Sequence, residues 1–296
     1  MRYDAAIVGG GIAGLQAALT LARGLHRVVV IDAAMPCNRV TPQMHGMIGA
    51  DGDNPGEFYR RAHAQLDAYP NLTRVTSAVI DGTVEADLSF RLWDAAGAGW
   101  HATKVLFACG VRDVLPPVPG LAELWGKQVQ HCAFCHGYEA RGQAVGLLTP
   151  ASAAAKMISM VRHLTPTIHL LIEDGAPAPS LAESWECAGI TYTDSPLAAV
   201  EPWADGLRVH LADGRALPFG TLFIRPGAEA ATRLPEKFGC TMEHGQIKLD
   251  QWGQTGIAGV YAAGDMATGT VGQLVAAMKS GLDAGVMMHY DLLEGR

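Results

Sequence analysis

Two cysteines and the histidine that follows them carry the clearest chemistry in this sequence. Cys132 and Cys135 form a CxxC pair, and His136 comes directly after the second cysteine. One such pair alone fits a zinc half-site, a structural disulfide or a redox-active dithiol. Residues 9–14, however, have the pattern of a dinucleotide-binding turn. Because a dithiol and a redox cofactor can exchange two electrons, the combination favours thiol–disulfide chemistry.

The dinucleotide-binding turn lies at the start of a predicted βαβ unit. We predict a buried strand at residues 3–8, a helix at 13–23 and a second strand at 28–31 that ends at Asp32. An acidic residue at that place can accept hydrogen bonds from a ribose. A GxGxxG motif alone is a weak signal, but here a strand, a helix and an acid surround it, so dinucleotide binding is predicted.

The three glycines of the turn serve different purposes. Gly9 allows the tight turn, Gly11 lets the backbone approach a pyrophosphate, and Gly14 lets the helix pack closely on the strand. The N-terminus of the following helix faces the phosphates, where its unpaired N–H groups favour negative charge.

The rest of the chain divides into recognisable segments. A β-meander is predicted within residues 73–107, and prolines at 115–120 indicate a stiff crossing between domains. A second βαβ pattern covers a strand at 144–148, a helix at 151–164 and a strand at 167–172. A strand within 255–265 ends in Gly264 and Asp265, and a helix follows at about 272–292.

This order of elements predicts an α/β fold with two Rossmann-like domains, each a three-layer ββα arrangement. The first domain is discontinuous and comprises residues 1–112 and 219–296. The second, residues 113–218, is inserted into the first and carries the CxxC pair.

Composition excludes several classes of function. The 296 residues carry a net charge of -7 and no Lys/Arg-rich run, so nucleic acid and anionic membranes are poor partners. No apolar run approaches the ~20 residues that a bilayer crossing needs. Residues 5–22 hold the glycines of the turn, which argues against a signal peptide. Six cysteines are too few for a disulfide scaffold, so we expect a cytoplasmic protein with mostly reduced thiols.

Over essentially its whole length the chain resembles the low-molecular-weight thioredoxin reductases and their relatives. The matching motifs are residues 9–14, the Ala-Cys-Gly at 108–110, the CxxC pair and residues 259–265. The resemblance implies that the discontinuous domain binds FAD, that Asp265 contacts the ribityl chain and that the protein is a homodimer. A helix beginning near Gln273 would aim its N-terminus at the flavin ring, which suits an anionic reduced flavin.

The resemblance also implies a set of FAD-binding positions, and some of them are weaker than others. Asn38 and Arg39 lie in a loop that could touch the adenosine phosphates, and His45 lies in a loop that could shape a pocket near the flavin. The full set is Gly9, Gly11, Ala13, Gly14, Asp32, Asn38, Arg39, His45, Gly264, Asp265, Gln273 and Leu274.

The central domain departs from the reductase pattern at its nucleotide turn. Residues 148–154 read Leu-Thr-Pro-Ala-Ser-Ala-Ala, with no glycine at the three positions of the motif, and Pro150 has no N–H to offer a phosphate. The following strand ends in Glu173 and Asp174, which would repel a 2′-phosphate, although Glu173 could contact an NADH ribose. We therefore expect no binding of NADPH in the usual mode.

A second departure is His136, which stands where the reductases usually have Asp. The run Cys-His-Gly-Tyr-Glu at 135–139, together with residues 44–52, is similar to the dithiol oxidases that close the disulfides of gliotoxin and holomycin. The similarity implies electron flow from a dithiol through the cysteine pair and FAD to O2. It also implies that Cys135 faces the flavin and Cys132 exchanges with substrate. His136 is the candidate base, because its ordinary pKa of about 6.5 suits proton transfer at neutral pH.

Alternatives remain at this stage. A thioredoxin reductase fed by ferredoxin, by a flavin or by NADPH in an unusual mode, and a flavoprotein sensor without turnover, share the same motifs. The partner would be a small dithiol or disulfide, or a thioredoxin-like protein. We expect no metal, since the CxxC pair, His131 and His136 form one contiguous segment without a second ligand pair. The remaining four cysteines are expected to be small buried residues.

Overall fold

The computed structural model describes residues 2–250, 254–267, 269 and 272–295. Contacts divide them into two units. The first comprises Met1–Arg39, Pro55–Asp113 and Ala228–Arg296, and the second comprises Val40–Asn54 and Val114–Gly227.

The described strands and helices are numbered here in chain order. The strands are β1 (Arg2–Val8), β2 (Val28–Asp32), β3 (Leu72–Thr76), β4 (Val79–Val84), β5 (Phe90–Asp94), β6 (Gly99–Phe107), β7 (Val111–Val114), β8 (Val129–Gln130), β9 (Val145–Thr149), β10 (Ile168–Ile172), β11 (Thr191–Thr193), β12 (Leu197–Trp203), β13 (Gly206–Leu211), β14 (Ala216–Phe219), β15 (Thr221–Phe223), β16 (Gly227–Ala230), β17 (Met242–Glu243), β18 (Gln246–Ile247) and β19 (Val260–Ala262). The α-helices are α1 (Ile12–Arg23), α2 (Pro55–Leu66), α3 (Leu121–Leu124), α4 (Ala133–His136), α5 (Ala154–Val161), α6 (Pro179–Cys187), α7 (Leu234–Lys237) and α8 (Leu274–Leu293). Short 3-10 helices cover Cys37–Val40, Ala151–Ala153 and Gly264–Met266.

The sheet of the first unit branches at β6. Its order is β3-β2-β1-β6-β5-β4, and β19 also pairs with β6. The first half of β6 pairs antiparallel with β5, whereas its second half pairs parallel with β19. The predicted meander is therefore present as β4, β5 and β6, and it separates from the parallel part of the sheet at mid-strand.

The register brings the ends of the parallel strands to one edge. Val8 of β1 is level with Phe107 of β6 and Ile31 of β2, and Ala262 of β19 is also level with Phe107. The segments after these strands, which include the glycine-rich turn and Asp265, therefore start at the same edge. Ligands of open parallel sheets bind beyond the carboxyl ends of the strands.

Helices α1 and α8 pack on each other through small residues. A Cβ built on Gly281 would collide with the backbone of Ala13, and one on Gly285 would lie 3.2 Å from the Cα of Ala17. The far end of α8 is held to the sheet where the buried Tyr261 hydroxyl donates to the Asp291 carboxylate. This packing positions the N-termini of both helices relative to the strand ends.

The second unit contains a five-stranded parallel sheet with the order β11-β10-β9-β15-β8. One of its faces packs on α5 and α6, where Leu147 and Leu170 meet Met157 and Trp185. The neighbouring residues, such as Leu148 and Leu171, face the antiparallel sheet β12-β13-β14. Alternate residues of the buried strands thus pack into two different cores, one on each face of the sheet. The unit therefore has three layers: the helices, the parallel sheet and the antiparallel sheet.

The contact-based boundaries differ from the expected ones in two places. Residues 219–227 belong to the second unit, because β15 pairs with both β8 and β9 and so lies inside that sheet. Residues 40–54 also join the second unit, although they were expected in the first. One contact behind this grouping is Gly126, whose close approach to Val40 leaves no room for a Cβ.

The helix expected at 151–164 is shorter and begins later. A 3-10 turn occupies Ala151–Ala153 and α5 covers Ala154–Val161. Across the described ranges, we find no helix whose length and apolar character would suit a bilayer crossing.

Candidate functional site

The CxxC pair forms a disulfide at the start of a short helix. Cys132 and Cys135 are bonded, with their Cα atoms 5.3 Å apart. Cys132 is the N-cap of α4, and the backbone N–H of Cys135 donates to its sulfur at 3.1 Å. The N–H of His136 donates to the Cys132 carbonyl at 3.1 Å. A sulfur that already accepts an N–H at a helix N-cap would be stabilised as a thiolate after reduction.

His136 contacts Thr41, which lies 95 residues earlier in the chain. The Thr41 hydroxyl donates to the Gln43 carbonyl at 2.8 Å and lies 3.5 Å from His136 Nε2. A hydroxyl has one hydrogen, so Thr41 can act toward the imidazole only as an acceptor. This assigns the ring hydrogen to Nε2 and leaves Nδ1 with the lone pair that can take a proton.

The surroundings of His136 favour its neutral form. Burial lowers the pKa of His136, and the nearby His45 lowers it further, whereas Glu139 acts in the opposite direction. A histidine that stays neutral at physiological pH is ready to act as a base. The structure therefore places the predicted base in a suitable protonation state next to the disulfide.

The structure also brings His45 beside His136 within the second unit. The two rings are 5.8 Å apart and nearly perpendicular. His45 Nδ1 lies 3.5 Å from Asp51, and its Nε2 lies 3.6 Å from Glu139. The resemblance implies a cofactor-binding role for His45, and that role stays a prediction.

The two histidines line one polar cavity of about 260 Å³, together with Glu139, Gln130, Lys127 and Asp205. Ligand atoms of His45, His136 and Glu139 lie within 4.8 Å of one another, which among the described residues is the one group compact enough to share a metal ion. The expectation that the protein binds no metal stays a prediction.

At the strand-end edge of the first unit, the glycine-rich turn forms a close-packed cradle. Gly9 has a φ of 107°, and a Cβ there would lie 2.5 Å from the Ala108 carbonyl. A Cβ on Gly10 would lie 2.6 Å from the Asp32 carboxylate, so the acid sits against the turn. Gly11, by contrast, faces open space, with its nearest neighbour at 4.0 Å. The turn thus leaves room on the side where a pyrophosphate would approach.

Two polar side chains near this edge have atoms that make no hydrogen bond within the described part of the chain. Both amide atoms of Asn38 and the Oδ1 of Asp265 are buried without a hydrogen-bond partner among the described residues. Burial raises the pKa of Asp265, and the nearby Asp113 raises it further. Since buried polar groups are nearly always paired in native proteins, these atoms fit hydroxyl and phosphate groups of the FAD that the resemblance implies.

The remaining predicted FAD positions have these places. Gly264 begins a 3-10 turn after β19, and its N–H donates to Ser280 at 2.8 Å. Gln273 is the N-cap of α8, so Leu274 is its first residue. Arg39 is exposed and donates to the Pro36 carbonyl. Their contacts with FAD stay predictions.

The expectation for the remaining cysteines is wrong in two cases. Cys240 is buried and Cys109 is half-buried, but Cys37 and Cys187 are exposed. Cys37 begins a surface 3-10 turn and Cys187 ends α6, so neither side chain reaches a core.

The nucleotide turn of the second unit is closed by its own chain. Pro150 precedes the 3-10 turn, and the N–H of Ala151 is taken by the carboxylate of Asp174 at 2.8 Å. In a dinucleotide-binding unit this N–H would face the pyrophosphate. An internal carboxylate occupies that position here.

The surface around the disulfide carries two exposed aromatic rings. Phe134, between the cysteines, is 83% exposed, and Tyr138 is 67% exposed. The guanidinium of Arg141 lies 3.9 Å from the centre of the Tyr138 ring. Solvent-exposed aromatic rings next to a redox-active disulfide can contact a bound substrate or partner protein.

Sequence reasoning did not anticipate Thr41, Asp51 or the contact of Asp174 with Ala151. A threonine and an aspartate in a loop carry no motif, and their roles arise from long-range folding. The acidic pair at the end of β10 was noticed, but its hydrogen bond depends on how the Pro150 turn folds.

Known proteins resemble this chain over nearly its whole length. The family model for pyridine nucleotide-disulphide oxidoreductases matches residues 3–281. Thioredoxin reductase tcpT of Claviceps purpurea is 33% identical over 275 residues, covering 88% of this chain and 86% of that protein. Thioredoxin reductase sirT of Leptosphaeria maculans is 30% identical, covering 98% and 94%. The crystal structure of an oxidoreductase from Agrobacterium tumefaciens is 30% identical, with a TM-score of 0.92 and 100% of both chains covered.

These similarities agree with the geometry of the disulfide and of the strand-end edge. They confirm the resemblance to thioredoxin reductases, the α/β fold class and FAD as the cofactor. The chain therefore belongs to the pyridine nucleotide-disulphide oxidoreductase family, as a thiol–disulfide oxidoreductase of the thioredoxin-reductase type.

Proposed function

We propose that this protein oxidises a dithiol to a disulfide, with O2 as the final electron acceptor and without NADPH. The observation that carries the proposal is the hydrogen bond from the Ala151 N–H to Asp174. Through this hydrogen bond, the Asp174 carboxylate occupies the position that a pyrophosphate would take. The turn also lacks the glycines of the dinucleotide-binding motif. Glu173, beside it, adds a second acidic group, which disfavours a 2′-phosphate.

The cysteine pair and His136 supply the exchange chemistry. Thiolate, and not thiol, attacks a disulfide, so the substrate needs a base. His136 has a pKa below its ordinary value and a free Nδ1 to accept the thiol proton. The N–H of Cys135 stabilises the Cys132 sulfur as it leaves as a thiolate at the end of the exchange. We thus assign Cys132 to thiol–disulfide exchange with the substrate and Cys135 to electron transfer to the flavin.

FAD, when bound, supplies the two-electron acceptor between the cysteine pair and O2. The residues proposed to hold it are those of the glycine-rich turn, Asp32, Asn38 and Asp265, with the N-terminus of α8 directed at the flavin. Their support is the cradle around Gly9, together with the polar atoms of Asn38 and Asp265 that are buried without a partner in the described part of the chain.

An anaerobic titration of the visible flavin band tests the proposal. NADPH, NADH and dithiothreitol are added in turn to separate samples. We expect bleaching by dithiothreitol alone, and recovery of the colour with formation of hydrogen peroxide when air is admitted. Stoichiometric bleaching by NADPH would overturn the proposal and would mean that the Pro150 turn binds a nucleotide.

Thioredoxin reduction is the second candidate, and the exposed rings favour it. Phe134 and Tyr138 offer an apolar surface at the disulfide that suits a protein partner better than a small polar one. Turnover of a thioredoxin with a supplied electron donor, reduced by Phe134→Ser but unaffected by Leu181→Ser, would favour this candidate. Leu181 is exposed on α6 and serves as the matched control.

A homodimer in the cytoplasm is also proposed. One face of α8 exposes five apolar side chains at helical spacing, while the opposite face packs on α1. They are Val275, Leu282, Val286, Tyr290 and Leu293. A second copy of the chain could cover this stripe. Light scattering should give twice the monomer mass, and Val286→Asp should lower it; a monomer at micromolar concentration would rule the dimer out.

A further inference from the structure

We propose that His45 is a proton-relay residue of the exchange site, which takes the proton from His136 and delivers it to Glu139 and the solvent. The proposal rests on thiol–disulfide exchange at Cys132 and Cys135 as the function. It concerns a residue that the resemblance would associate with the flavin.

Geometry is the first support. The rings of His45 and His136 are 5.8 Å apart at 87°, and both line the same polar cavity of about 260 Å³. A single water occupies about 30 Å³ in the liquid, so this cavity has room for waters that bridge the two imidazoles. Thr41, which contacts His136 Nε2, also lines this cavity, so His136 and His45 border the same space.

Charge sets the direction of transfer. His136 is kept neutral by burial, as the lowering of its pKa indicates. His45 has a carboxylate facing each ring nitrogen, Asp51 at 3.5 Å and Glu139 at 3.6 Å. A ring that carries both hydrogens can donate toward both carboxylates, whereas a neutral ring can serve one. His45 therefore offers two carboxylates toward which a proton received from His136 can pass.

Other charged groups face the pair as well. His131 is close enough to oppose a positive charge on His136, which contributes to the lowering of the His136 pKa. Lys127 and Asp205 line the cavity and carry opposite charges. Glu139 is 44% exposed, so it can release the proton to the solvent. Glu139 thus connects the cavity that His136 and His45 line to the solvent.

The chemistry needs such an exit because two protons must leave. The first substrate thiol loses its proton, its sulfur bonds to Cys132, and the Cys132–Cys135 bond breaks with Cys135 leaving as thiolate. The second substrate thiol then loses its proton and attacks the first substrate sulfur, and Cys132 leaves as thiolate. The substrate is oxidised by two electrons, which the two cysteines hold. His136 can take the second proton only after it has passed on the first.

The test is the anaerobic half-reaction with dithiothreitol, followed by flavin bleaching in a stopped-flow instrument from pH 5.5 to 9. Because O2 and nucleotide are absent, the result does not depend on the final acceptor. The variants are His45→Gln and His45→Ala, and His163→Gln on an exposed histidine of the same unit serves as the control. Bound FAD and the melting temperature are recorded for each variant.

We expect His45→Gln to slow bleaching about tenfold at pH 6, which is less than the ~100-fold expected for loss of a primary base. The deficit should shrink toward pH 8.5, where thiols ionise without help. Added imidazole should restore the rate of flavin bleaching in the His45→Ala variant. The His163→Gln variant should bleach at the rate of the unmodified protein. A pH-independent loss without rescue by imidazole, or no loss at all, would overturn the relay. Failure of dithiothreitol to react with the unmodified protein would instead refute exchange itself.

Discussion

The Thr41 hydroxyl accepts from the Nε2–H of His136 while it donates its own hydrogen to the Gln43 carbonyl, which fixes the tautomer of the histidine. Thr41→Val keeps the shape but removes the acceptor. We expect dithiol-driven flavin bleaching to slow about threefold to tenfold, as for loss of a hydrogen bond of about 1 kcal/mol. Thr41→Ser keeps the hydroxyl and should keep the rate. Equal rates in Thr41→Val and the unmodified protein would refute the tautomer assignment.

The reaction should also depend on pH through His136. Because its pKa is lowered, the base stays neutral below pH 6.5 and activity should persist into that range. As pH falls through the lowered pKa, the imidazole is protonated and the rate should decline. His136→Gln should remove this limb of the profile of kcat/KM, measured with a dithiol by O2 uptake. A limb that survives the substitution belongs to another group.

Replacement of either active cysteine separates exchange from cofactor binding. Cys135→Ser should keep the visible flavin spectrum yet stop its bleaching by dithiols. It should also leave Cys132 free to form a long-lived mixed disulfide with an oxidised substrate, because the resolving thiol is missing. Intact-mass measurement detects the adduct, and the Cys132→Ser variant should lack it. Bleaching in Cys135→Ser would show that this residue does not pass electrons on.

Asp265 should affect cofactor affinity and apoprotein stability in opposite directions. Its Oδ1 is buried and has no partner among the described residues, so we expect it to accept from an FAD hydroxyl and Asp265→Ala to lower the bound flavin. The apoprotein should gain about 1–2 kcal/mol in its free energy of unfolding, because an unsatisfied buried group is removed. Asp283→Ala, on the exposed part of α8, is the control. Urea unfolding of the two apoproteins and flavin titrations measure both effects, and a destabilised Asp265→Ala apoprotein would contradict the reasoning.

The same Asp265 carboxylate determines how the stability of the apoprotein changes with pH. The pKa of Asp265 is raised in the folded state, so folded apoprotein binds its proton at a higher pH than the unfolded chain does. Apoprotein stability should therefore fall as pH rises from the unfolded pKa of about 3.9 through the folded one. Asp265→Ala should flatten that part of the curve.

A contact between a buried and a half-buried histidine predicts loss of stability in acid. His26 Nε2 lies 2.8 Å from His289 Nδ1 on α8, and burial and His289 lower the pKa of His26. The unfolded chain takes up the proton near pH 6.5, whereas folded His26 does so at lower pH. Stability should thus decrease as pH falls below about 6.5. His26→Gln should weaken this slope in melting temperatures from pH 5 to 8, and His163→Gln should not.

Local patterns in the sequence predicted what short stretches can encode. The glycine-rich turn, Asp32 and the CxxC pair follow from residue types at fixed spacing, and the βαβ order predicts the strand-end edge. The proximity of Thr41 and His136 does not, since 95 residues separate them. The expected helix at 151–164 begins later in the structure because the Ala151 N–H donates to Asp174, which stabilises a 3-10 turn before the helix.

The contact of Gly281 with Ala13 links the last helix to the turn that is proposed to hold the pyrophosphate. Ala13 stands in the first turn of α1, so any side chain added at position 281 must push that turn toward the ligand or away from the sheet. A random screen for colourless protein should therefore recover substitutions in the C-terminal helix that never touch FAD. We expect tags or fusions that bend this helix to cause loss of FAD as well, although they are attached far from the glycine-rich turn in the sequence.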